Sequence, residues 1–294
     1  MPRSAAFDLP RLLIVGCGDV GMRLLPLLRG RFRVFALTSQ PERRAALRAA
    51  GAVPVVADLD RPHTLARLRH LAPWVLHLAP PQPEGPQDLR TRRLAAALGG
   101  VRRMVYVSTS GVYGDCGGAL VGEQRPVAPR NARALRRVDA ERVLRAWALA
   151  SGAQLAILRV PGIYAQDRLP LKRLEQGTPA LHADEDVYTS HIHADDLARI
   201  VLQALLHGRP GRVYHAVDDT RMKMGEYFDA VADAFRLPHP PRLPRAELEK
   251  VVSPVLLSFM SESRRLDNTR MKRELKVRLR YPDVASALRR LAVQ

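Results

Sequence analysis

Short apolar runs rich in branched residues alternate with helix-patterned stretches through the first half of the chain, the rhythm of alternating strands and helices. Leu12 to Val15 is the first run, and Met22 to Leu28 reads as a helix after it. A second strand falls at Phe32 to Leu37, followed by a helix at Pro41 to Ala50 that Gly51 ends. Val53 to Val56 gives a third strand, Pro62 to His70 a helix, and Trp74 to Leu78 a fourth strand. Beyond the proline-rich loop Pro80 to Pro86, a helix at Asp88 to Leu98 leads to a fifth strand, Arg103 to Val107. The long helix Ala132 to Ala150 precedes a sixth strand at Leu155 to Arg159. Continuously apolar strands belong to a parallel sheet covered on both faces. The pattern predicts an α/β fold, a Rossmann-type doubly wound parallel sheet.

Past Val160 the pattern loosens. Val187 to His193 reads as a strand feeding a helix at Asp195 to Leu206, and Arg212 to Ala216 as another short strand. Pro238 to Pro244 is dense in proline and reads as a linker. The tail from Ser261 to Leu291 holds two helical segments broken at Tyr281-Pro282. Residues 8–160 and 187–218 are expected to form the sheet domain. Residues 161–186 and 219–294 are expected to form a small, discontinuous lid over a substrate.

The first strand runs directly into Gly16-Cys-Gly18-Asp19-Val20-Gly21. A G-x-G-x-x-G string between a strand and a helix is the context that dinucleotide binding requires. Gly16 permits the tight turn, Gly18 lets backbone approach a pyrophosphate, and Gly21 lets helix and strand pack closely. The phosphates then sit at the helix N-terminus, where unpaired N–H groups and the helix dipole favour an anion. An acidic residue about 20 residues further on would select NAD through the ribose 2′-hydroxyl. The second strand instead ends Ala-Leu-Thr38-Ser39-Gln-Pro-Glu-Arg43-Arg44. Thr38 and Ser39 offer hydroxyls, and Arg43 or Arg44 reaches toward a 2′-phosphate, so NADP is expected. NAD is the alternative, through Glu42.

Composition changes this picture little. The 294 residues suffice for one large α/β domain with a smaller addition. Nothing reads as a signal peptide or a membrane span, and Cys17 and Cys116 form neither a C-x-x-C pair nor a disulfide framework. A cytoplasmic protein is expected. The net charge of +18 raises the question of nucleic acid. Its arginines are scattered through helical segments with no separate basic tail, so an arginine-rich surface is the reading preferred over nucleic-acid binding.

Several strings fall in one order: Val-Ala-Asp58-Leu59, His-Leu-Ala79, Tyr-Val-Ser-Thr109-Ser110-Gly-Val-Tyr113-Gly, Leu-Arg-Val-Pro-Gly-Ile-Tyr164 and His191-Ile-His193-Ala-Asp195-Asp196-Leu-Ala. Together they make the chain resemble the extended short-chain dehydrogenases/reductases, in their NAD-dependent epimerase/dehydratase-like branch. The resemblance implies that Gly16, Gly18, Asp19, Val20 and Gly21 hold the pyrophosphate. It also implies that Asp58 and Leu59 meet the adenine and Ala79 the nicotinamide side, while Thr109 and Ser110 contact a substrate oxygen. Where that family carries a Tyr-x-x-x-Lys pair, this chain has Arg133 and Arg137, with no tyrosine between Tyr113 and Tyr164. A guanidinium stays protonated, so Arg133 is no ordinary proton donor. It is assigned to an anionic group of the substrate, and Arg137 to the cofactor ribose. Tyr113 is the best substitute proton donor among the candidates, but packing plus one hydrogen bond is the reading preferred for it; Tyr164 and Asp115 rank below it as donors.

Two functions follow. One is an NAD(P)-dependent oxidoreductase or epimerase/dehydratase-like enzyme, with an altered proton-transfer residue and a small, anionic or nucleotide-linked substrate. The other is a non-catalytic NAD(P)-binding sensor or scaffold. The resemblance also implies a homodimer through the helices flanking the sheet. His191-x-His193 with Asp195-Asp196 has the look of a metal site, but the structural reading is preferred: Asp195 caps a helix and the histidines shape the domain junction. No metal is expected.

Overall fold

A computed structural model describes residues 9–292. Seven parallel strands make one sheet: β1 Arg11–Val15, β2 Arg33–Thr38, β3 Val53–Val56, β4 Trp74–His77, β5 Arg103–Thr109, β6 Gln154–Val160 and β7 Val213–His215. Their order is β7-β6-β5-β4-β1-β2-β3. The strand order reverses between β1 and β4, whose residues pair from Leu12↔Trp74 to Val15↔His77. A crevice beyond the carboxyl ends of the strands at such a reversal is where α/β sheets bind ligands.

The continuous apolar run of β1 is explained by two cores. Leu12 and Ile14 point into one and Leu13 and Val15 into the other, all four fully buried. The first face is covered by α1, Asp19–Leu28, and α5, Ala194–His207, which pack on one another. The second is covered by α3, Leu89–Ala97, and α4, Ala132–Ser151. Asp88 starts α3 by accepting the Thr91 amide at 2.9 Å, and Asn131 starts α4 by accepting that of Ala134 at 2.9 Å. Gly152, at φ +71°, ends α4. The segment after β2 opens with a 3₁₀ turn, Pro41–Arg43, before the short helix α2, Arg44–Ala49. Pro62–Leu68 is 3₁₀ throughout rather than α-helical.

A third core joins Tyr164, Leu174, Ala180, Leu181, Tyr227, Phe228, Val231, Leu248 and Val284. Its helices α6, Met224–Phe235, and α8, Val284–Leu291, pack together. The sequence pattern had shown α8 but not α6. The expected strand at 187–193 is two: Tyr188–Thr189 pairs with Met222–Lys223, while His191–His193 pairs with Gly162–Tyr164. The expected linker contains a strand, Arg242–Leu243, paired with Ala180–Leu181. From the tail, α7, Thr269–Leu275, places Met271 and Leu275 in the first core, beneath the sheet.

Candidate dinucleotide site and adjoining cavity

Two cavities open on the crevice, and Leu78 lines both. The smaller, about 320 Å³, is lined by Gly16, Gly18, Thr38, Ser39, Arg43, Asp58, Leu59 and Ala79. These are eight of the residues expected to hold a dinucleotide, drawn from the ends of β1 to β4. Gly16 has φ +87°, and a Cβ there would stand 2.5 Å from the backbone nitrogen of Ala79. At Gly18 a Cβ would meet nothing within 4 Å, so the backbone there faces open space. At Gly21 it would meet the Cys17 Sγ at 3.0 Å, the close packing of helix on loop. The amides of Asp19, Val20 and Gly21 open α1 and have no acceptor within the helix. The residues of this turn and cavity therefore fit a dinucleotide.

The Asp19 side chain has a different occupation. Its carboxylate accepts from Arg23 Nε at 2.8 Å and from Arg168 Nη1 at 2.9 Å. At the other end, Thr38 Oγ1 accepts the Gln40 amide at 3.1 Å. Ser39 is exposed and Arg43 half-buried on the cavity wall, whereas Glu42 and Arg44 do not line it. Asp58 accepts the Asp60 amide at 2.9 Å, which shapes the wall after β3. Arg90 also lines this cavity, bound to Asp60 Oδ1 through Nε at 3.0 Å. Its place on α3 carried no motif.

The larger cavity, about 540 Å³, is lined by Val20, Val107, Thr109, Ser110, Arg133 and Arg137, and by Tyr164, Arg168, Tyr188, His191, Tyr227, Glu262 and Arg264 from later segments. Thr109 Oγ1 accepts the Gly111 amide at 3.2 Å, leaving its own proton to donate. Arg133 and Arg137 stand one turn apart on α4, facing the same space. Arg137 Nη1 donates to the Tyr106 hydroxyl and to the Val107 carbonyl, both at 3.0 Å, and approaches the Ala79 carbonyl at 3.4 Å. It thus stands at the join of the two cavities. Burial lowers the pKa of Arg133; Glu262 opposes the shift, and Arg137, Arg136 and Arg264 add to it. The wall is electropositive.

Tyr113 is not at this wall. It is 1% exposed and lines neither cavity. Its hydroxyl accepts from Arg159 Nη1 at 2.7 Å and lies 2.6 Å from His215 Nε2. His215 Nδ1 faces the Asp267 carbonyl at 2.9 Å, which fixes the proton on Nδ1 and makes Nε2 the acceptor from Tyr113. Arg159 also holds Glu141 through two bonds, 3.1 and 2.7 Å, and Glu141 accepts from Ser108 at 2.7 Å. Tyr113 is therefore a member of a buried polar network behind the cavity, away from the wall that Thr109 and Ser110 line. The loop after β5 turns through a 3₁₀ segment, Ser110–Tyr113, which carries the side chain inward.

A second buried chain supports the floor near Ala79. His77 Nε2 meets Thr91 Oγ1 at 2.8 Å, and that hydroxyl donates to Asp88 Oδ2 at 2.8 Å. Burial, with Arg137 nearby, pushes His77 down to about 3, so the ring is neutral.

The His-x-His string is used by the fold. His193, not Asp195, caps α5, its Nδ1 accepting the Asp195 amide at 3.2 Å. His193 stacks on Tyr281 and His191 on Tyr227, with ring centroids 3.7 and 4.3 Å apart. Asp195 binds Arg23 at 2.7 Å, and Asp196 accepts the amides of Arg280 and Tyr281 at 3.0 and 2.8 Å. Among the described residues, no helix is long and apolar enough to cross a membrane.

Comparison with known proteins agrees with this geometry. The chain is 28% identical over 249 residues to UDP-glucose 4-epimerase of Azospirillum brasilense, covering 76% of this chain and 67% of that one. Matches to curated relatives span 40 to 67% of their length. A conserved protein of unknown function from Silicibacter pomeroyi superposes with a TM-score of 0.79 at 28% identity, covering 97% of this chain and 98% of that one. The dTDP-glucose 4,6-dehydratase DesIV of Streptomyces venezuelae, solved with NAD bound, superposes with a TM-score of 0.77 at 23% identity, over 96% of each chain. The family model for NAD-dependent epimerases and dehydratases matches residues 12–217. With this match, the glycine loop and the sheet order in agreement, the chain belongs to the NAD-dependent epimerase/dehydratase family.

Proposed function

We propose that the protein binds NADP in preference to NAD and acts with it on a small, anionic or nucleotide-linked substrate in the larger cavity. The observation that carries the cofactor preference is the wall after β2. Thr38, Ser39 and Arg43 line it, and Glu42, the one carboxylate near enough in sequence to take a ribose hydroxyl, does not. An arginine there pairs with a 2′-phosphate through charge-assisted hydrogen bonds. Gly16, Gly18 and Gly21, with the first amides of α1, hold the pyrophosphate; Asp58 and Leu59 bound the adenine, and Ala79 the nicotinamide side. The bound cofactor supplies hydride transfer.

This chain's own residues supply orientation and charge. Thr109 and Ser110 direct their hydroxyls to a substrate oxygen. Arg137, held by the Tyr106 hydroxyl and the Val107 carbonyl, orients the ribose, and Arg133 takes an anionic substrate group. Proton transfer passes to a group other than a Tyr-x-x-x-Lys pair. The segments 161–186 and 219–292 supply the smaller unit that closes the cavity, apart from α7, which packs in the first core. Leu135 and Leu149, 44% and 87% exposed, project from α4, with Leu89 at the start of α3, which supports a homodimer through these helices. The burial of Tyr113 favours a second reading, a dinucleotide sensor without turnover.

The test is to incubate the protein with NADP or NADPH and UDP- and dTDP-linked sugars, following absorbance of the reduced cofactor and product by NMR. Turnover of a nucleotide sugar supports the enzyme. Tight cofactor binding with no product from any sugar supports the sensor.

A further inference from the structure

The first turn of α1 carries a set of ion pairs that the glycine loop does not require. Asp19 lies in that turn, beside the amides where a pyrophosphate docks. Its carboxylate is held by Arg23 and Arg168. Burial opposes the shift, yet hydrogen bonds from these two arginines keep the Asp19 carboxyl below its ordinary range, so it is ionised. Arg23 also binds Asp195 at 2.7 Å, in the first turn of α5, and Asp167 at 2.9 Å. His193 lies 3.9 Å from Asp195 at the edge of the set, with burial lowering its pKa. Two guanidinium groups thus face three carboxylates, a local excess of negative charge where a negatively charged ligand must come.

Arg168 differs from the other members. It stands in the 3₁₀ turn Gln166–Arg168, in the segment that leaves the strand Gly162–Tyr164, and it also lines the larger cavity together with Val20 of the same α1 turn. Arg23 is committed to three carboxylates, whereas Arg168 has one ion-pair partner among the described residues, Asp19. Arginine matches phosphate as well as it matches carboxylate, and bidentately.

We propose that Arg168 is a phosphate ligand for the dinucleotide, held by Asp19 until the cofactor arrives and then transferred to the pyrophosphate. This rests on the dinucleotide reading of the site and adds a residue from beyond the glycine loop. In this arrangement Asp19 is a competitor: it repels the incoming diphosphate and occupies the cation that should bind it. Occupancy of the cofactor site then draws the 162–170 segment toward the mouth of the substrate cavity.

The inference predicts opposite signs for two neighbouring substitutions. Arg168→Ala weakens NADPH binding roughly ten- to hundredfold, the worth of a charge-assisted contact. Asp19→Asn tightens it severalfold, because it removes both the repulsion and the competitor. Arg168→Lys keeps the charge without the bidentate fork and falls between wild type and Arg168→Ala. Dissociation constants come from calorimetric titration of the full chain with NADPH, and thermal melts verify that each variant is folded. A structural role for the pair would move both variants the same way, in step with their melting temperatures. Wild-type binding with Arg168→Ala unchanged, or weaker binding by a folded Asp19→Asn variant, overturns this inference alone. No dinucleotide binding by the wild type removes the reading of the site, and this inference with it.

Discussion

The two cavities that meet at Leu78 are built in different ways. The smaller is made by backbone and by the ends of four consecutive strands, so its residues lie in short local strings from Gly16 to Ala79, joined by Arg90. The larger gathers side chains from Val20 to Arg264, across β5, α4, the turn after β6 and the tail. In the first, geometry is set by glycine conformation and a sheet reversal, which sequence specifies locally. In the second, function depends on which of many polar side chains turn inward, and that is decided by tertiary packing. A family can keep the first and rewrite the second. On the reading proposed above, the arginines at 133 and 137 are such a rewriting.

Acid gives the largest effect and tests whether the buried supports of both cavities act together. Burial pushes His77 down to about 3, and His191 and His215 down to about 4. Their folded values lie below the unfolded one, so below about pH 6.5 the unfolded chain binds more protons and stability falls. Asp218 works the other way: burial raises it to about 7, so its contribution falls as pH rises from 3.8 toward 7. Three histidines outweigh one carboxyl, and melting temperature should drop steeply from pH 6.5 to 4. A flat profile would mean that these rings titrate normally. Asp218→Asn should raise stability above pH 7 relative to wild type.

Replacing Arg159 separates the two regions. Arg159→Met leaves Glu141, 4% exposed, as an uncompensated buried charge, and should cost about 3–5 kcal/mol in urea unfolding. A loss under about 1 kcal/mol would contradict a structural role for that network. Gly16→Ala strikes the smaller cavity instead, forcing a Cβ against the Ala79 backbone at positive φ. Strain of about 1–3 kcal/mol should appear, with dinucleotide affinity falling by about a hundredfold as Ala79 is displaced. Unchanged affinity would show that the loop does not hold the cofactor. Arg43→Ala is the mildest: NADPH affinity should fall by about tenfold or more, while NADH affinity is untouched. Equal losses for both would deny it the 2′-phosphate.

Much of the fold was legible because each of β1 to β6 carries a short apolar run and the glycine loop has one structural context. The Asp88 cap at the start of α3 and the end of α4 at Gly152 also follow from residue type. The 3₁₀ form of Pro62–Leu68 did not, since apolar spacing there suits either helix. Helix α6 escaped because the two-residue strand Met222–Lys223 runs straight into it and its N-cap is a lysine, the cap being made only by Glu226, which accepts the Lys223 amide at 2.8 Å. The inward turn of Tyr113 was not legible for a clear reason: its neighbours Thr109 and Ser110 line the cavity, but a 3₁₀ turn buries the side chains that follow. Arg168 and Arg264 could not be assigned at all, because nothing local marks a side chain whose partner is 149 or 150 residues away.

The central claim is that the smaller cavity holds a dinucleotide and prefers the 2′-phosphorylated form. Calorimetric titration of the purified protein with NADPH, NADP, NADH and NAD tests it most directly, after mass spectrometry has checked for cofactor carried through purification. The account predicts micromolar binding of NADPH or NADP, at least about tenfold tighter than the unphosphorylated pair. Tight NADH binding with no measurable NADPH binding would contradict the preference, and no binding of any of the four by folded protein would contradict the site.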